Sequence, residues 1–382
     1  MVTNTTLNIA LQNQSNSSNV YAYITGLALD NNNQRVLIQA DGRTPYYPTS
    51  PDSVGSPLAM DCGIPLGHPG STAIINIPRI AGGRIWFCMN DRLTFLLNPG
   101  PGLVEPSVSN PSDPNYSKNW GFCEFTFNDF QLFANISYVD FVSIPISMTL
   151  TNEAGGSQHI SGLPANGLQT ICNNLVAQNN VDGAGWNKLI VNTINGQPLR
   201  ALSPNTAHVM DSSLFAGYFD PYVNAVWNQY SSQSLTIDTQ AQWGTLSGKV
   251  QNGLLTFPGI GNFGKPSTED IFSCSTGPFG ASLNNTAAMG ALTARISAGF
   301  NRSMLLVSAN QPTADFGAYY GTRPTNFYAK IVHGANLDGR GYAFPYDDVA
   351  ASNASGGDQA GTVFDGAPKL FTVAVGGVNA ST

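Results

Sequence analysis

The chain has 382 residues, of which 42% are apolar and only 10% charged, with a net charge of −7 and a pI near 4.9. That length exceeds one compact core and predicts about two domains, while the acidic balance speaks against nucleic acid or an anionic membrane as partner. A neutral polymer needs no charge complementarity, and a surface built from Gly, Ser, Thr and Asn is common in secreted proteins.

From Val20 to about Leu150 short strand-like runs follow one another: VYAYIT, RVLIQ, AIINI, RIWF, LTFLL, a pair between Trp120 and Val142, and ISMTL. Gly, Pro and Asn clusters separate them, as in a β-sandwich or barrel. The period then changes. Leu168, Ile171, Cys172 and Leu175 fall at helical spacing, as do Val223, Val226, Trp227 and Tyr230 behind Asp220-Pro221, a cap followed by a first-turn proline. A third helix is predicted from Thr286 to Phe300, with Met289, Leu292 and Ile296 inward. Strands resume with MLLVSA, NFYAKIVH and LFTVAV, the last two placed back in the first sheet domain, and the polar stretch from Ala350 to Gly361 reads as a loop. The expected fold is mainly β with an inserted α/β region. A β-sandwich or barrel domain (1–152 and 323–382) and a mixed α/β domain (153–322) would form the two walls of an open groove.

The stretch WGFCEFTFNDFQLFANISYVDFVSIPI carries the most chemistry. Phe122, Glu124, Thr126 and Asn128 alternate with Cys123, Phe125 and Phe127, which predicts one wet and one core face. Asn128 and Asp129 make a turn, and the second run brings Tyr138 and Asp140 onto a common face. An acid, a hydroxyl and an amide on one face suit a hydroxyl-rich polymer, and two carboxylates on a rigid sheet are the minimum for cleaving a glycosidic bond. On the residues alone, plain solvated carboxylates on a half-buried strand are the commoner explanation of the pattern.

The segment resembles glycoside hydrolase family 64, endo-β-1,3-glucanases with a scaffold similar to thaumatin-like proteins. There a glutamate in E-aromatic-T-x-N precedes by sixteen residues an aspartate in a V-D-hydrophobic strand, positions held here by Glu124 and Asp140. GRIWFCMNDRLTFLLNPGPGLVEPSVSNPSDPNY upstream, and DPYVNAVWNQY and GRGYAFPYDDV downstream, resemble further landmarks of that family. The chain departs from bacterial members at Phe133, Ser137 and Tyr138, where they carry tryptophan, threonine and glutamine. The resemblance implies endo-hydrolysis of β-1,3-glucan by an inverting route. Glu124 would be the acid, its pKa raised by the apolar flanks Phe122 and Phe125, and Asp140 the base. Thr126, Asn128, Phe133, Ser137 and Tyr138 would contact sugar, with no metal or organic cofactor and with monomer as the default state. Rivals are a non-catalytic thaumatin-like glucan-binding protein and a retaining enzyme. If the sixteen residues fold symmetrically about Leu132, Glu124 opposes Asp140 at about 5 Å, too close for the inverting water. Inversion therefore requires an offset register, an intervening strand or splayed side chains.

Other motifs carry less. Gly259-Ile-Gly261-Asn-Phe-Gly264 lacks a helix opening at the right place for a dinucleotide and reads as a loop before a cap at Ser267. His68, His159, His208 and His333 are scattered without metal or triad spacing. Cys62, Cys88, Cys123, Cys172 and Cys274 are odd in number, so at least one is unpaired, and Cys123 reads as a small core residue. Asp347-Asp348, behind Tyr342, Phe344 and Tyr346, reads either as a groove wall or as a capped turn. Nine Asn-x-Ser/Thr sequons, among them Asn13, Asn16, Asn115, Asn284 and Asn353, fit a fungal secreted product, with Asn135 read as an unglycosylated strand residue. No apolar run reaches membrane-spanning length, and Met1 is read as an initiator before a mature sequence whose export signal has been removed.

Overall fold

The computed structural model describes residues 2–281, 286–354 and 358–377. Strands predominate, as the alternation predicts. Among the described residues, one sheet of eight strands runs in the order Thr362–Asp365, Leu132–Ile136, Asn119–Phe127, Ile80–Met89, Val20–Ala28, Gln34–Ile38 and Pro45–Tyr46, with Ile64–Pro65 attached to Val20–Ala28. A second, of five strands, runs Ser157–Ile160, Ile146–Asn152, Pro368–Val375, Thr6–Asn13 and Thr72–Pro78. Thr6–Asn13, which precedes the first strand read from the sequence, pairs in parallel with the returning C-terminal strand. Ile9, Leu11, Ile75, Ile77, Phe371 and Val373 are buried in one continuous core with Ile24, Ile85, Phe125 and Phe127 of the first sheet. Ser157–Ile160 pairs with Ile146–Asn152, so the first strand of the segment expected to be inserted belongs to this sheet.

The three predicted helices occur, at Gly167–Asp182, Asp220–Ser232 and Ala287–Asn301. Thr286 caps the last by accepting from the Met289 amide, and Met289, Leu292 and Ile296 are buried. Two strand assignments fail. NFYAKIVH is helical over Phe327–Ala335, capped by the Asn326 side chain. Its aromatic and β-branched residues read as strand, yet Tyr328 and Val332, four apart, bury one helical face, and that packing overrides β propensity. MLLVSA is a series of turns after the Ala287–Asn301 helix, and only Asn310–Gln311 pairs, with Leu235–Asp238. LTFLL contributes only Leu96–Asn98.

The glycine motif behaves as a loop. Gly259 sits at φ 74° between Leu254–Phe257 and Gly261–Phe263, and a capping box at Ser267 opens Thr268–Ser273. All five cysteines are buried thiols. Burial pushes the Cys62 and Cys88 thiols up to about 12. Asn13 and Asn115 are buried with their amides hydrogen-bonded to backbone, which removes both as glycan acceptors in the folded chain. Asn284 lies outside the described residues, as do residues 355–357 of the polar loop.

Asp347 is fully buried and lines no groove. It accepts from Arg302 at 3.0 Å and from the Ala343 amide at 3.0 Å, and His333 Nε2 stands 3.0 Å away, off hydrogen-bond geometry. Burial by itself would raise this carboxyl, but His333 and Arg302 outweigh it and hold it below the usual range. It therefore contributes stability above its unfolded value of 3.8, lost as pH falls through the lower folded value. Asp347→Ala should cost about 3–5 kcal/mol, because it strands a buried Arg302. The loss, read by denaturant melts, should shrink on acidification below 3.8. A pH-independent loss would remove the charge explanation.

Candidate active site

Residues directly opposed on antiparallel strands share a face, so the register can be read as rows. Ile24, Ile85, Cys123 and Ile136 form one row, all fully buried. Cys123 is thus a core residue. The next row, Thr25, Arg84, Glu124, Asn135 and Thr362, points the other way. A slip of one residue in any strand would exchange the two sets, so the apolar row fixes where Glu124 points.

Arg84 organises this polar row. Its Nη1 donates to Glu105 Oε2 at 2.7 Å and its Nε to Glu124 Oε1 at 3.2 Å. The guanidinium lies 4.9 Å over the Phe122 ring and 5.4 Å from that of Trp86. Glu105 is fixed in turn by Thr25, whose hydroxyl donates to it at 3.1 Å and accepts from Trp86 Nε1 at 3.0 Å. Around Glu124 opens a cavity of about 450 Å³ lined by Arg35, Arg84, Glu105, Thr126, Phe133 and Asn135.

The hairpin register answers the spacing question. Phe127 opposes Leu132 and Glu124 opposes Asn135, not Asp140. The second strand ends at Ile136. The chain then bends, held by the Tyr138 amide donating to the Tyr342 carbonyl and by the Tyr328 hydroxyl donating to the Tyr138 carbonyl, both at 2.7 Å. The Ser203 amide donates to the Asp140 carbonyl at 2.9 Å, and Phe141–Val142 pairs with Pro198–Leu202. Asp140 therefore sits at the start of a different sheet, in a separate cavity of about 190 Å³ walled by Trp86, Trp120, Phe122 and Thr206. Arg84 lines both cavities. Burial raises the Asp140 carboxyl above the ordinary aspartate range, Arg84 opposes that rise and Glu124 adds to it.

This raised value has a measurable consequence. Ionised Asp140 is disfavoured in the fold, so wild-type stability falls as pH rises from the unfolded value of 3.8 through the raised folded one. Asp140→Asn should therefore melt higher than wild type at neutral pH, with the gap closing below 3.8. A lower melting temperature at neutral pH would show that the ionised carboxylate stabilises its pocket.

The other expected site residues divide. Thr126 and Phe133 oppose one another beside Glu124. Asn128 does not line the cavity: its Oδ1 accepts the Phe130 and Gln131 amides and closes the hairpin turn. Ser137 and Tyr138 are buried, Ser137 bridging Tyr342 and Tyr138 packing on Gly341, so neither offers its side chain to sugar. The predicted wet face is wet only from Glu124 onward, since Trp120 and Phe122 are covered. The desolvating flank expected for Glu124 is absent as well. Phe125 faces the core side and Phe122 seats a cation beside the carboxylate. Arg84 and Glu105 went unpredicted. The available signal was an isolated charge in each of two apolar runs, RIWF and LVEP, of a charge-poor chain.

Residues 5–375 match the family model of the glycoside hydrolase 64 β-1,3-glucanases. Glucan endo-1,3-β-glucosidases of Cellulosimicrobium cellulans and of an Arthrobacter species are each 28% identical over 356 residues, 91% of this chain. The chain spans 62% of the length of these curated relatives. A laminaripentaose-producing β-1,3-glucanase, solved in complex with laminaritetraose, superposes with a TM-score of 0.86 at 30% identity, covering 97% of this chain and 98% of that one. A glucanase domain from Clostridium beijerinckii, at 22% identity and a TM-score of 0.75, shares the fold. With the family model matched over residues 5–375, nearly its whole length, this chain belongs to glycoside hydrolase family 64.

Proposed function

We propose that the protein hydrolyses β-1,3-glucan within the chain, by single displacement with inversion at the anomeric carbon. The observation that carries the reading is the placement of Glu124 and Asp140 in adjoining cavities on either side of Arg84, out of register with each other. The offset favours the wider separation that admits a water between sugar and base. It weighs against the retaining alternative.

Glu124 acts as general acid toward the leaving glycosidic oxygen. Arg84 gives its shorter bond to Glu105 and only the longer one to Glu124. A glucan seated in the open cavity excludes water and disfavours a second charge there. Asp140, its carboxyl turned among aromatic walls, takes the proton of the attacking water, and the nearby Arg84 charge helps hold it ionised. Thr126 and Asn135 offer hydrogen bonds to glucose hydroxyls, and Phe133 offers a ring face. Proton donation to the leaving oxygen by one carboxyl and proton uptake from water by the other call for no cofactor. The chain is proposed to act outside the cell, where such polymers are met.

A reducing-sugar assay on curdlan and laminarin, with proton NMR of the first-formed anomer, tests both parts. Release of α-anomeric oligosaccharides from the β-linked polymer is expected. Binding without turnover would return the non-catalytic reading, and β-anomers would make Asp140 a nucleophile.

A further inference from the structure

Phe133 and Phe364 oppose one another on Leu132–Ile136 and Thr362–Asp365. Their rings stack with centroids 6.3 Å apart and planes 22° apart. Both are open to solvent, Phe133 to 37% and Phe364 to 54%, whereas Trp86 and Phe122 on the same side of the sheet are buried. Phe133 lines the Glu124 cavity, so the pair continues that cavity toward the sheet edge. Beside it runs the polar row Glu124, Asn135, Thr362.

Phe364 lies on the outermost strand, where backbone groups are ordinarily unpaired. Here Gln158 engages both: the Phe364 amide donates to Oε1 at 3.1 Å and Nε2 donates to the Phe364 carbonyl at 2.6 Å. An exposed aromatic is thus held on a pinned backbone, so little freedom is lost when a ligand covers it. A pyranose presents axial C–H groups on its faces and hydroxyls around its rim. The rings suit the faces, and the adjacent Asn135 and Thr362 suit the rim. Two strand spacings, about 10 Å, separate the Glu124 strand from that of Phe364, so a sugar stacked on Phe364 is a different unit from the one at the acid.

We propose that Phe364, with Phe133 and clamped by Gln158, forms a stacking subsite for a glucosyl unit of the β-1,3-glucan chain remote from the bond cleaved. This rests on the glucanase reading above. The rings continue from the Glu124 cavity, so the polymer seated there is the occupant that reaches them.

Affinity electrophoresis through gels containing laminarin reads binding alone when every protein compared, the one called wild type included, carries Asp140→Asn so that the matrix is not digested. Wild type should be retarded. Phe364→Leu keeps an apolar strand residue but loses the flat face, and should weaken retention about 3–10-fold, with Phe364→Tyr restoring it and Gln158→Ala giving a smaller loss. Melting temperatures of the variants must stay near wild type; a loss of retention tracking a loss of stability overturns the subsite in favour of a strand-holding pair. Undiminished retention of a folded Phe364→Leu overturns it while leaving the glucanase reading intact. If wild type itself is not retarded, the glucan reading fails and the subsite with it. Sedimentation showing a wild-type dimer that Phe364→Leu dissociates, with retention unchanged, assigns the patch to a second copy instead.

Discussion

Glu124→Gln and Asp140→Asn are each expected to lower curdlan hydrolysis by about 10²–10⁴-fold, the range that a positioned proton donor or acceptor supplies. Each exchange is nearly isosteric and removes only proton chemistry, so the fold should persist. The two roles separate on leaving group. An aryl glycoside whose phenolate departs without protonation no longer needs the acid, and should recover much of the lost rate in Glu124→Gln while leaving Asp140→Asn impaired. Recovery in the aspartate variant instead would exchange the two assignments. Near-normal turnover of either variant on curdlan would refute the pair altogether.

Arg84→Met should displace the pH profile upward. Arg84 lowers the Asp140 carboxyl against the burial that raises it, so removing the cation raises that carboxyl further. Because the base must be ionised to act, the acidic limb of kcat/KM moves to higher pH, and activity on that limb falls about tenfold for each unit of displacement. Glu105→Gln should act in the opposite sense. It frees Arg84 from its 2.7 Å partner, leaving more of the positive charge for Glu124 and Asp140, and moves the limb to lower pH. Arg84→Lys keeps the charge but lacks the fork that serves two carboxylates at once, and belongs between wild type and Arg84→Met. Other charged or titratable groups at hand are Arg35, which lines the Glu124 cavity, and Tyr328, which interacts with Asp140. Parallel shifts in Arg84→Met and Glu105→Gln would show that the three side chains do not act as one charge system.

Much of the scaffold was legible because strand alternation is a local property. VYAYIT, RVLIQ, AIINI, RIWF and ISMTL each became a paired strand, and the helix over Asp220–Ser232 formed as its period required, although Asp220 is its first helical residue and not its cap: Phe219 holds that place, with no side-chain cap hydrogen bond. Local pattern failed where packing decided. NFYAKIVH carries strand-forming residues but buries a helical face, and MLLVSA is apolar yet packs as turns after a helix. Site residues divided in the same way. Thr126 followed from alternation with Glu124 and Phe133 from the family resemblance, whereas Asn128 was claimed by its own turn and Tyr138 by the core.

The sequence by itself determined that Glu124 points away from the Cys123 core row, and its spacing to Asp140 carried the family. Both rest on contiguous residues whose geometry repeats every two positions. Only the tertiary structure decided that Asp140 leaves the hairpin, that Arg84, bound to Glu105, lines the cavities of both acids, and that Phe364 lies exposed on the outermost strand beside Phe133. The physical reason is separation along the chain. Arg84 meets Glu124 across 40 residues and Glu105 across 21, while Gln158 clamps Phe364 across 206. Contacts of that range are set by strand order and register, which no local period encodes.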